Sequence, residues 1–388
     1  MSLAQYITSL TLLLTSVQCN EVHPVCGGCQ RHGVQCVYNN PELRTVDHQV
    51  KNASKNVPEK SMTQPDVEYP ESQQRRLLEL KLLTQWLTKS AFTLPGSDDK
   101  DYRESMLLSA PTETLQFRAW TYTLFAFSAI HIAKTSSSPT ERQNFMDTFH
   151  RYLDLALQEH RHDVANLCKE KANIICLASS MIRNCMQALL QERELVPHTP
   201  PSQWLHMMSG SGDVFKTAWA WVREDKTSLA WKISTTGPDL SNLEELFGEK
   251  KREQFKHLLH RTPLHEDLEP WSTEVQLAYE RTLSYIGSIQ IAIDGGEKRW
   301  QTFRRVVVFP MFAPKRYIEL VEEGQPRALV VLAHYFSFFA RLRDVWWVGD
   351  TGRREIRAIQ ILLDSPWVEQ LKWPLNQMEE VWDIRPWE

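Results

Sequence analysis

The chain has 388 residues, 42% apolar and 24% charged, with a formal net charge of −4. That length allows one large soluble domain or two smaller ones. The charge excludes a polycation, so nucleic-acid contact would need a local basic patch.

Residues 1–18 carry no charge. Their apolar middle, residues 6–17, is interrupted by Ser and Thr and is too short to span a bilayer, which takes roughly 20 apolar residues. The stretch has the length of a secretory h-region but lacks a basic n-region and a small-x-small cleavage site. Asn52-Ala53-Ser54 is a glycosylation sequon that would suit a secreted small-molecule binder, the least favoured of the readings.

Next comes "CNEVHPVCGGCQRHGVQCVY", residues 19–38, with four of the chain's seven cysteines. The spacing is Cys19-x6-Cys26-x2-Cys29-x6-Cys36. Four thiolates suit zinc, which takes four ligands in a tetrahedron. The Gly27-Gly28 turn lets the central pair reach one ion. So short a stretch cannot build a core, so a metal must hold it. A disulfide knot is the alternative, but an odd cysteine count argues against a secreted framework. His23 and His32 are expected to face solvent.

This spacing, with Pro24, Gly33 and Tyr38 around it, resembles the second half of a fungal Zn(2)-Cys(6) binuclear cluster, a DNA-binding unit of transcription factors. The resemblance implies that Cys19, Cys26, Cys29 and Cys36 are metal ligands, with zinc as the cofactor. The first C-x2-C and its basic helix have no counterpart in residues 1–18, which hold no Cys, Lys or Arg. Residues 20–60 hold five basic and four acidic residues, a balance that gives little attraction for phosphate. DNA binding is therefore expected to be weak or lost in this chain, and no DNA-contacting residue is assigned. A misassigned start of the coding sequence accounts for the pattern best. A natural form without a DNA reader is the alternative.

Residues 39–72 have four prolines, few apolar residues and no periodicity, which predicts a flexible linker. From residue 73 onward the pattern is helical. "RRLLELKLLTQWLTK" sets Leu77, Leu80, Leu83, Trp86 and Leu87 at helical spacing. Residues 113–134 form a helix apolar almost all round. Ser138, Pro139 and Glu141 read as cap, first position and capping-box acid of the next helix. A long helix or helix pair follows over residues 163–195, where Cys168, Cys176 and Cys185 read as buried thiols. More helical patterns follow at roughly 240–260, 272–292, 326–347 and 353–364. "RRVVVF", residues 304–309, is the best β candidate, with Pro310 after it.

The expected fold is mostly α: residues 73–388 form one all-α domain of about ten helices behind the cysteine unit and linker. Fourteen tryptophans, seven of them at or after Trp300, supply large groups to its interior.

"RRLLELKLLTQWLTKS" and "PRALVVLAHYFSFFARLRDVWWVGDTGRREIRAIQILLDSPWVEQLKWP" resemble the regulatory domain of sterol uptake control-type zinc cluster factors. That resemblance implies a nuclear regulator of RNA polymerase II genes, lipid-responsive or specific to a secondary-metabolism pathway. It also implies co-regulator partners and a pocket for a sterol or other apolar ligand. Phe336, Phe339, Trp346 and Trp347 are candidates for lining it, although aromatic residues at this spacing are more often core. His334 is expected to be a satisfied interior histidine.

No enzyme is expected. The aspartates of "GSDDKDYRE" lack DDxxD spacing and read as a solvated loop. "MSGSGD" at 208–213 reads as a Gly-Ser turn without the strand or third glycine of a dinucleotide loop. "HEDLE" has no second His, and "EHRH" sets its histidines too close for one zinc. A helical ligand- or partner-binding module without DNA binding is the main alternative to a DNA-bound regulator.

Overall fold

The computed structural model describes residues 71–97, 99–109, 115–195, 199–261, 269 and 271–379. They are mostly helical and contain no strand. The cysteine stretch and nearly all of the linker lie outside them.

Helix α1 (Gln73–Thr88) buries Leu82 and Trp86. Leu77 and Leu80, expected on the inner face, are 60% exposed. The apolar run has two candidate stripes, and packing selects the 78/82/86 set at i, i+4, i+8. Ser90–Thr93 follows as a 3₁₀ turn. Asp99, expected in a solvated loop, caps the short helix Lys100–Glu104 by accepting from the Tyr102 amide at 2.8 Å.

Helix α2 (Arg118–Thr135) is buried nearly all round, as its composition requires. It packs along α3 (Pro139–Ala165), which begins as expected: Ser138 Oγ accepts from the Glu141 amide at 3.3 Å, with Pro139 in the first turn. The Glu141 carboxylate does not reach the Ser138 amide directly. That amide donates to Ser136 Oγ at 3.2 Å, and Ser136 donates to Glu141 Oε2 at 2.7 Å. The capping box thus closes through a third hydroxyl.

Helices α4 (Lys169–Leu190) and α5 (Ser202–Val222) pack against each other, and α4 also lies against α2. The expected Gly-Ser turn at 208–213 is helical, in the middle of α5. A Cβ on Gly212 would stand 2.9 Å from Met311 Cβ, so the small residue there permits close helix packing. Beyond α5, the stretch Glu249–Leu259 is 3₁₀ and packs on α6 (Thr273–Asp294). A Cβ on Gly287 of α6 would overlap the Lys251 carbonyl oxygen at 1.7 Å, so only glycine allows this approach.

Residues 304–309, expected as a strand, lie inside helix α7 (Arg299–Phe312). The β-branched run and Pro310 both argue against a helix locally. Tertiary partners overrule them. Pro310 has no N–H for the Val306 carbonyl, and the Tyr335 hydroxyl donates to that oxygen at 3.0 Å. The Tyr285 hydroxyl donates to the neighbouring Arg305 carbonyl at 2.9 Å.

Helix α8 (Lys315–Glu322) ends at Gly324, whose φ of 71° provides the left-handed turn. Helix α9 (Pro326–Ser337) then runs through the interior, with every residue from Arg327 to Ser337 buried. Helices α10 (Thr351–Leu362) and α11 (Lys372–Glu379) pack against it. Among the described residues no helix is long and apolar enough to cross a membrane.

Candidate metal centre and the interior of the helical region

Cys19, Cys26, Cys29 and Cys36 lie outside the described residues, so the chemistry of the donor set decides what they can hold. Four thiolates match zinc, which is bound at Zn–S distances of about 2.3 Å. Of the three other cysteines, all expected to be buried thiols, Cys168 is only half-buried, at the residue before α4. Cys176 and Cys185 are free and buried, and burial pushes the Cys176 thiol up to about 12 and the Cys185 thiol well up. At neutral pH both are protonated, and a metal binds the thiolate. Among the described residues no group of three or more His, Cys, Asp or Glu side chains could hold a metal ion.

The four aromatic residues proposed for an apolar pocket fall into two packed clusters. Phe336 and Phe339, one turn apart, meet edge to face at 5.5 Å. Trp204 lies 6.1 Å from Phe336, and Tyr335 stacks on Phe309 at 4.1 Å. Trp346 and Trp347 gather instead around α2 and the Ser90–Thr93 turn. Trp347 packs on Phe303 at 5.0 Å and donates to the Thr93 carbonyl at 3.2 Å. Trp346 donates to Thr93 Oγ1 at 3.0 Å and stacks face to face on His131, 4.3 Å away. Phe127 joins the two indoles at 5.1 and 6.2 Å. Phe336 and Trp347 are fully buried, and Phe339 nearly so.

Three buried histidines accompany these rings. His334 is interior, as expected, and its Nδ1 bonds the Val330 carbonyl at 2.8 Å. It stacks on Trp373 at 5.3 Å, while its Nε2 has no hydrogen-bond partner among the described residues, so it is only half satisfied. Burial lowers its pKa to about 4. The pKa of His131 also falls to about 4, through burial and then through Lys89, and its Nδ1 pairs with Ser90 Oγ at 2.9 Å. His160, one of the "EHRH" pair, bonds Ser179 Oγ at 3.0 Å and falls to about 4, chiefly through burial.

The residue pattern did not disclose two buried ion pairs. Arg193 donates through Nε and Nη2 to the two oxygens of Glu355, at 3.0 and 2.7 Å. Arg327 Nε lies 2.7 and 3.0 Å from the two oxygens of Glu269, and its guanidinium sits between the rings of Trp271 and Trp367. One signal was available. Arg327 falls in the first turn of an otherwise apolar helix, where a cation opposes the helix dipole and needs a carboxylate nearby.

Comparison with known proteins gives a consistent picture. Residues 16–45 match the fungal Zn(2)-Cys(6) binuclear cluster domain, a zinc-binding unit, and that match implies DNA binding. The chain is similar to the Zn(2)-C6 fungal-type transcription factor afumD of Aspergillus fumigatus, at 27% identity over 321 residues, which is 82% of this chain and 81% of that protein. It is similar also to a Zn(2)-C6 fungal-type transcription factor of Gibberella zeae, at 23% identity over 93% of this chain and 82% of that protein. Alignments of this length extend far beyond residues 16–45, so the likeness includes the helical region. These relatives are transcription factors and not enzymes.

Proposed function

We propose that this chain regulates transcription by RNA polymerase II in the nucleus. A zinc-bound unit at residues 19–38 would be joined by a linker at 39–72 to a regulatory helical domain at 73–388. The observation that carries the reading is the match over residues 16–45 together with a likeness to transcription factors along most of the chain. Cys19, Cys26, Cys29 and Cys36 are the proposed ligands. They are enough for one tetrahedral zinc, whereas the binuclear arrangement uses six thiolates. The zinc would fix the fold of a segment that has no core of its own.

Purification of the full chain under anaerobic conditions, followed by metal analysis and a DNA mobility-shift assay, tests this. About one zinc per chain is the expected result, with DNA retardation that is weak and disappears as salt is raised. Absence of stoichiometric zinc overturns the assignment.

A second reading has its own support. Residues 1–18 hold no Lys or Arg, and residues 20–60 are nearly charge-balanced. On that reading the chain is a helical module that binds a ligand or a co-regulator without reading DNA. Zinc-loaded protein that gives no salt-sensitive shift selects it.

The finer proposal is a response to a lipid or a role in one secondary-metabolism pathway. Its support is the resemblance of residues 75–90 and 326–374 to sterol-responsive regulators; Phe336, Phe339, Trp346 and Trp347 themselves fill the interior in two packed clusters. Saturable binding of a fluorescent sterol, weakened by Phe336→Ala, is the expected result. Absence of saturable binding removes the sterol.

A further inference from the structure

Arg193 and Arg327 each meet a buried glutamate. Arg183 on α4 meets none among the described residues. Only 7% exposed, it donates to Ser211 Oγ and Ser180 Oγ, both at 2.8 Å. Both partners are neutral hydroxyls. Cys176 is the one group among the described residues that raises the Arg183 pKa by its charge, and that thiol is itself held protonated by burial. Asp163, which acts on neighbouring His160, is committed to Lys171 at 2.9 Å. Burial lowers the Arg183 pKa only to about 10, so the guanidinium stays charged at neutral pH. A buried charge with no counter-ion is costly, because its lost hydration is not replaced by an anion.

The surroundings point the same way. Gln187, one turn along the same face of α4, is fully buried, and neither its amide oxygen nor its amide nitrogen has a partner among the described residues. Such a side chain forgoes up to four hydrogen bonds. His160 Nδ1 is likewise buried and unpartnered. Opposite Arg183, helix α5 presents Ser211, within the stretch expected as a turn. Ser180 and Asn184 are only half-buried, so the guanidinium lies just beneath the surface.

We propose that Arg183, Gln187, Ser180 and Ser211, at the junction of α4 and α5, bind the oxyanion of a small molecule, a carboxylate or a phosphate. The guanidinium would supply the charge and paired donors. The Gln187 amide would donate a further hydrogen bond, and the two serine hydroxyls would turn from accepting to donating. The site goes beyond the regulatory reading, and its readout involves neither DNA nor zinc, so either can fail without the other.

Thermal unfolding and isothermal titration of the full chain test it, with sodium phosphate and sodium succinate against sodium chloride at equal ionic strength. One of the two anions should bind saturably and raise the melting temperature by about 3 °C at saturation. A response to phosphate alone identifies a phosphoryl ligand, and a response to succinate alone identifies a carboxylate. Gln187→Met should weaken binding at least tenfold, and Arg183→Met should abolish it. If Arg183→Met does not fold, Gln187→Met and Ser211→Ala decide. Saturable binding of neither anion, or equal affinity in the variants, overturns the proposal.

Discussion

Between Cys19 and Cys36 the chain offers three valines as its only aliphatic side chains. Helix α9, over a shorter span, buries every residue from Arg327 to Ser337. The two regions call on different sources of stability. The first is too small to remove enough apolar surface from water, so its order depends on bonds to a metal. The second removes a great deal, and its polar groups must then find partners within the protein. The first should therefore respond to chelators and thiol chemistry, and the second to pH and to changes of packing.

The sharpest test of that contrast is metal removal. Zinc contributes about 10 to 16 kcal/mol to the folding of small zinc units. Chelation, or Cys29→Ala, should abolish stoichiometric zinc binding and any DNA retardation. The circular-dichroism melt of the helices should hardly move. A common collapse of both regions on chelation would break the comparison.

The next largest effect belongs to the helical interior. Glu269→Gln leaves Arg327 buried without its counter-charge, and should lower the unfolding free energy by about 4 kcal/mol. Denaturant titration measures it, and a loss under about 1 kcal/mol would show that the pair contributes little.

Acid should act on the helical region through its histidines. Burial holds the His334 pKa near 4, below its unfolded value. The folded state therefore binds fewer protons, and this contribution to stability is present above about pH 6.5 and lost as pH falls towards 4. His334 alone accounts for roughly 3 kcal/mol by pH 4. His334→Gln should flatten the pH profile of the melting temperature across that window. An unchanged profile would assign the pH dependence to His131 and His160.

The smallest effect is local. Ser138→Ala removes the hydroxyl acceptor at the start of α3 but keeps the relay from the residue-138 backbone amide through Ser136 to Glu141, and should cost about 1 kcal/mol. The zinc content should not change.

How far the sequence could be read follows the range of the interactions concerned. The start of α3 was legible because Ser138, Pro139 and Glu141 act within one turn. The mostly α character was legible because helical periodicity repeats over many residues. The choice of stripe on α1 was not, since two sets of leucines satisfy the same spacing and only the neighbours of Leu82 and Trp86 decide between them. Helix α7 was misread because Val306, Val307, Val308 and Pro310 locally favour a strand and its end. Two tyrosines, Tyr335 some thirty residues downstream and Tyr285 some twenty upstream, take up the carbonyls of the helix instead. The "MSGSGD" stretch was misread for a related reason: its small residues serve a neighbouring helix, not a turn.

By itself the sequence determined the helical class and the capped start of α3, and it supplied the proposal of four thiolates for zinc, because each is written in residues close together in the chain. Tertiary structure decided which faces are buried, where Arg193 and Arg327 find their glutamates, and that Arg183 finds none among the described residues. Those outcomes depend on groups brought together from distant parts of the chain, where desolvation makes the presence or absence of a partner cost several kcal/mol.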